Sequence, residues 1–164
     1  MTNIKNIAEF SIYTALAFIF SYIESLIPLP IPFPGMKLGL ANLVIIIVLY
    51  KKNFRYAFGL SMVRNLLNAV TFGSLFSLLY SLSGSILSLC GMFLIKKLVK
   101  KHFSILSVSA IGGILHNIGQ FLAAILLVGV SSILWYLPVL YFSGLVTGLL
   151  IGWLAAQCLK RLII

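Results

Sequence analysis

Long apolar stretches separated by short polar or basic links organise this chain. Taken in order, they predict six helical spans, roughly Ile7–Ile27, Leu38–Tyr50, Tyr56–Thr71, Leu75–Ile95, Ser104–Gly129 and Ile133–Leu159. Several approach the ~20 residues that cross a bilayer. The second is short. Its ~13 residues at ~1.5 Å each reach about 20 Å, against a hydrocarbon core of about 30 Å. It is therefore expected to begin below the membrane surface, or to extend through Lys51 and Lys52 by snorkelling. Between the first two spans, Pro28, Pro30, Pro32 and Pro34 alternate with apolar residues and end at Gly35. A helix cannot run through that spacing, because each ring removes an N–H and clashes with the preceding turn. Extended backbone is expected there. Pro138 is expected to bend the sixth span.

Composition fixes the class. The chain has 164 residues, 62% of them hydrophobic, and a mean hydropathy of +1.16. That is the composition of an all-α, polytopic membrane protein, here a single domain of six transmembrane helices. No cleaved signal peptide is expected. The first stretch ends in prolines rather than a small-residue cleavage site, and more spans follow. The net charge of +10 raises nucleic acid as a partner, but the distribution argues against it. The basic residues lie mostly between apolar runs: Lys5, then Lys51, Lys52 and Arg55, then Lys96–Lys101, then Lys160 and Arg161. They fall at alternate ends of six spans, which places both termini in the cytoplasm of a cell membrane and the proline loop outside. Cys90 and Cys158 lie within apolar runs and read as small buried hydrophobes.

Candidate chemistry comes from polar groups where lipid would make them costly. Arg64 sits near the middle of the third span and needs an acceptor. Glu24 is the one acidic residue in the body of a span. Either the two form a structural pair or Arg64 binds a ligand, and the readings are compatible. Asn68 shares the helical face of Arg64, and Asn65 lies beside it. In the fifth span, Gly112, His116 and Gln120 form one stripe, with Asn117 adjacent and two glycines one turn before. Asn42 adds an amide. Lys37, near the start of the second span, is placed to attract or cover an anion. Together these groups describe a pocket open to the outer face, for a small organic ligand carrying a carboxylate, a phosphate or several carbonyls. Tyr22, Phe33, Phe72, Trp135 and Tyr136 are candidate aromatic walls, the last two equally interfacial anchors. Ser77, Ser81 and Ser85 make a hydroxyl stripe. Small residues recur as Ser11/Ala15 and as Ala17/Ser21/Ser25, which suits internal packing or a partner helix.

Other chemistries are missing from the sequence. There is no GxxxxGK[ST] phosphate loop, no HExxH, no GxSxG and no metal-ligand cysteine spacing. The only acidic residues are Glu9 and Glu24, so paired aspartates are excluded. An enzyme is the minor reading, no cofactor is expected, and active transport would need an ion or another subunit.

The segments SYIESLIPLP (21–30), PGMKLGLAN (34–42), FSLLYSLSG (76–84), HNIGQ (116–120) and YLPVLYFSGLVTGLLIG (136–152) resemble the Gx transporter family, also labelled heptaprenyl diphosphate synthase component I. The likeness covers nearly the whole chain. Prenyl diphosphate synthases use paired aspartates with magnesium, so for this chain the label implies an accessory role. The family is similar in layout to the substrate-binding S components of energy-coupling-factor vitamin transporters. That resemblance implies a six-helix subunit with an outward pocket, a transmembrane coupling subunit and ATPases as partners, and the loop at 28–37 as a gate. Ser11 and Ala15, loosely like the alanine pair of those proteins, would contact the coupling subunit. The leading expectation is thus a substrate-binding subunit for uptake of a vitamin- or cofactor-like molecule. The alternative is a membrane scaffold for prenyl, quinone or flavin-linked redox enzymes.

Overall fold

A computed structural model describes residues 4–27, 39–98, 103–128, 135 and 137–162. The proline run and Lys37 lie outside the described residues. Among the described residues the fold is all-α, with six helices: α1 (Ile4–Leu26), α2 (Leu40–Lys51), α3 (Phe54–Thr71), α4 (Leu75–Leu98), α5 (Ile105–Val128) and α6 (Leu137–Leu162). Four of them, α1, α4, α5 and α6, are long and apolar enough to cross a membrane. α2 is apolar but short. α3 is a continuous helix whose apolar sequence is interrupted by Arg64, Asn65 and Asn68. The described part therefore carries four spans by length and composition, where the hydropathy pattern alone predicts six.

α2 is the centre of the molecule. Every residue from Leu43 to Leu49 is buried, as expected of a helix that is apolar all round. It packs against α1, α3 and α6. The other helices expose large apolar side chains such as Ile12, Val70, Leu94, Leu126 and Phe142, the surface that lipid would contact.

A helix leaves its terminal N–H and C=O groups without intrahelical partners. α2 meets this with charges from other helices. At its start Gly39 adopts φ 83° and offers no side-chain cap. Instead, the backbone N–H groups of Gly39 and Leu40 donate to the Glu24 carboxylate of α1. At its end, Lys96 of α4 donates to the Leu49 carbonyl at 2.7 Å. Both charges have the sign that the helix dipole favours. Asn53 caps α3 by accepting from the Tyr56 N–H at 2.9 Å. Ser74 and Ser104 accept similarly ahead of α4 and α5.

Helices α4, α5 and α6 form an antiparallel sheaf held at backbone distance. An added Cβ at Gly148 would lie 2.7 Å from the Ser109 carbonyl oxygen and 2.8 Å from the Ala110 Cα. Gly144 meets Gly113, and Gly152 meets Leu106 and Ser109. The run Gly144, Gly148, Gly152 at four-residue spacing is the small-residue pattern of close membrane helix pairs. Gly148→Leu is expected to destabilise the protein by about 1–3 kcal/mol through overpacking. Gly91→Ala is expected to cost little, because its Cβ meets only the Leu115 side chain. Thermal unfolding in detergent measures both, and equal effects would refute the close-contact account.

Pro138 does not bend α6. It is the second residue of the helix, where a missing N–H breaks no intrahelical bond. The two small-residue stripes on α1 also separate. Ala17 and Ser21 lie on its buried face with Thr14 and Glu24, whereas Ser25, the third residue of that stripe, is exposed, as are Ser11 and Ala15.

Candidate functional site

The N-terminal end of α2 opens into a cavity of about 280 Å³ to which all six helices contribute. α1 supplies Ser21 and Glu24. The start of α2 supplies Asn42, with Gly39 just before it. α3 supplies Arg64, Asn65 and Asn68; α5 supplies Gly113, His116, Asn117 and Gln120. The cavity thus gathers every candidate ligand residue named above except Lys37, which is outside the described residues. The sequence patterns miss Tyr80, Phe76 and Ser74 on the α4 side and Thr147 on α6, which also line it. Ser77 and Ser81 of the hydroxyl stripe face it as well.

Arg64 is 6% exposed and so is Glu24. The Arg64 guanidinium donates through Nη2 to the Asn65 side-chain oxygen at 2.6 Å. Asn65, fully buried, then donates to Ser85 Oγ at 2.9 Å and to the Ser81 carbonyl. This chain fixes the guanidinium from behind. Its Nε is buried and has no hydrogen-bond partner among the described residues, and the same holds for the Asn68 side-chain oxygen. Glu24 lies near enough for Arg64 to feel its charge, while its carboxylate also holds the start of α2. Both roles left open by the sequence are therefore physically compatible here. The Glu24 carboxylate caps α2, and the Arg64 Nε has no hydrogen-bond partner among the described residues.

On the opposite wall, His116 and Gln120 lie against Gly84 of α4. A Cβ there would come within 2.8 Å of the His116 carbonyl oxygen and 2.9 Å of Gln120 Cγ. The glycine lets α5 approach α4 closely. Asn117 is more constrained. Its amide nitrogen donates to the Leu140 carbonyl at 2.8 Å and to Ser143 Oγ at 3.0 Å, so it ties α5 to α6 while lining the cavity. Gly112 faces Met92 and Ser88 rather than the cavity.

The aromatic walls differ from expectation. Tyr22 and Phe72 pack against one another with ring centroids 6.1 Å apart, and neither lines the cavity. Trp135 is 87% exposed, as an interfacial anchor would be. Phe33 and Tyr136 lie outside the described residues. Phe76 and Tyr80 are the rings that do line the cavity. Residue type told that aromatics would be present, but the helical face decides which ones point inward.

Fold and site together define a helical membrane protein with a polar cavity enclosed by its helices. The family described as heptaprenyl diphosphate synthase component I matches residues 13–158, and the chain belongs to that family. No curated protein and no solved structure matches the chain.

Proposed function

We propose that the chain is a substrate-binding integral membrane subunit for uptake of a small organic molecule, energised by partner subunits. In this reading residues 1–164 form one domain and all six helices cross the cell membrane, with both termini cytoplasmic. The observation that carries the proposal is that, among the described residues, the buried Arg64 Nε and the Asn68 side-chain oxygen have no hydrogen-bond partner. A buried donor and acceptor without partners cost free energy that a bound ligand would recover. Arg64 and Asn68 are one helical turn apart, so the two atoms address one end of a ligand. The matching group presents an acceptor to Arg64 Nε and a donor to Asn68, as amide, ureido or protonated carboxyl groups do. His116 and Gln120 hold the far side. In this reading Lys37 attracts an anionic group of the ligand. Ser11 and Ala15, exposed on α1, meet a transmembrane coupling subunit that carries ATPases.

The second reading is a membrane accessory or scaffold protein for prenyl/quinone or flavin-linked redox enzymes, of which the family description, naming a heptaprenyl diphosphate synthase component, supports the prenyl part. In neither reading is the chain itself catalytic. Gentle affinity purification from native membranes, with mass spectrometry of proteins and retained small molecules, separates them. Co-recovery of an integral coupling subunit and ATPases, with a metabolite lost on Asn68→Leu, is the expected result. Prenyl or redox enzymes recovered without ATPases, and no retained metabolite, would overturn it in favour of the accessory role.

A further inference from the structure

A second cavity of about 480 Å³ lies at the opposite end of α2. Leu49 and Tyr50 close the end of that helix, Asn53 and Phe54 begin α3, Phe93, Lys96 and Lys97 end α4, and Val108 opens α5. Its chemistry differs from that of the first. Lys52, Lys96 and Lys97 all line it, and no acidic residue does. Phe54 and Phe93, with ring centroids 4.6 Å apart, give it an apolar wall.

Two of the three lysines are positioned in advance. Lys96 is anchored on the Leu49 carbonyl and lies 4.4 Å from the Tyr50 ring centroid. Lys52 pairs with Glu9 and sits over the Tyr56 ring at 5.9 Å. Lys97 is exposed. Glu9 offsets Lys52 and the helix dipole of α2 is answered by Lys96. The local charge remains positive, and Lys51 and Arg55 add to the field from the same turn.

We infer that this basic and aromatic cavity is a binding site for a phosphate-bearing anion, with Lys97 holding the phosphate, Lys96 and Lys52 adding positive charge beside it, and Phe54 and Phe93 flanking its apolar part. Basic pockets between membrane helices take anionic headgroups in this way. A tetrahedral phosphate accepts from several ammonium groups at once, and a lysine reaches it as a point charge without needing the planar fork of an arginine. The site is separate from the polar cavity at the other end of α2 and does not depend on what that cavity binds.

The full-length chain in nanodiscs of equal parts phosphatidylcholine and phosphatidylglycerol tests the inference by native mass spectrometry of retained lipid. Wild type is expected to retain phosphatidylglycerol in preference. Lys97→Glu is expected to reduce that retention about tenfold or more, since it reverses one charge at the site. Lys160→Glu, an equal charge change at an exposed position outside the cavity, is expected to leave it unchanged. If Lys97→Glu does not accumulate, Lys97→Gln gives the same comparison with a loss of about threefold. Titration with inorganic pyrophosphate identifies the source. Release of the lipid supports a soluble phosphate ester as the occupant, and retention supports a lipid headgroup. Equal retention of both lipids by wild type, or equal losses in Lys97→Glu and Lys160→Glu, overturns the site.

Discussion

Arg64→Leu is expected to weaken ligand binding by roughly one to two orders of magnitude and to destabilise the unliganded protein by about 3 kcal/mol. The two effects have different causes. Removing one member of a buried, hydrogen-bonded charge arrangement costs about 3–5 kcal/mol when its partners stay behind. Here the partners are the Asn65 oxygen, which loses its 2.6 Å donor, and the nearby Glu24 charge. Binding falls further, because the free Nε is the donor that the proposed ligand would use. A lost hydrogen bond from a charged donor in a dry site is worth about 1.5–3 kcal/mol, or roughly one to two orders of magnitude in affinity. Arg64→Lys separates the contributions. A lysine keeps the charge beside Glu24 but lacks the planar fork, so most of the stability should return while binding stays low. Thermal unfolding and titration with the metabolite recovered from the native complex read the two quantities. Unimpaired binding in Arg64→Leu would remove the guanidinium from the site and leave it a structural pair.

The polar residues of the cavity were legible because the surrounding sequence is so apolar. Arg64, Asn65, Asn68, His116 and Gln120 stand out where few polar side chains are tolerated, and all of them line one cavity. Ser21 and Thr147 did not stand out for the opposite reason. Their hydroxyls donate to the carbonyls of Ala17 and Ser143, a local bond that any helical serine or threonine can make, whichever way it faces. Tyr80 was invisible because an aromatic in an apolar helix is equally at home against lipid. The short second helix was legible from its length, and its burial follows from the absence of any polar face. What length could not give was the way its ends are satisfied, since Glu24 and Lys96 arrive from other helices. The triplet Gly144, Gly148 and Gly152 carried a readable signal in its four-residue spacing. That pattern locates the α5–α6 seam, where Asn117 then adds a polar clamp.

Glu24 is where the two tasks of the cavity meet, and a double-mutant cycle with Arg64 measures how tightly they are joined. Glu24→Ala is expected to cost about 3 kcal/mol. Removing an N-terminal cap alone costs about 0.5–2 kcal/mol, and hydrogen bonds to a charged acceptor about 1.5–3 kcal/mol. The body of α2 is buried, but Gly39 and Leu40 are half-buried at the cavity, so water replaces the lost acceptor for their N–H groups only in part. Glu24→Gln keeps an acceptor and loses the charge, and should recover about half of the cost. Hydrogen exchange at the amides of Gly39 and Leu40 should accelerate in Glu24→Ala while the interior of α2 stays protected. The double variant Glu24→Ala/Arg64→Leu should be less unstable than the sum of the single changes, with a coupling of about 1–3 kcal/mol. If the effects simply add, Glu24 serves α2 alone and Arg64 draws its compensation from Asn65. If they couple, a ligand that engages Arg64 also alters the carboxylate that caps α2. Binding in the cavity would then be felt at the start of the central helix.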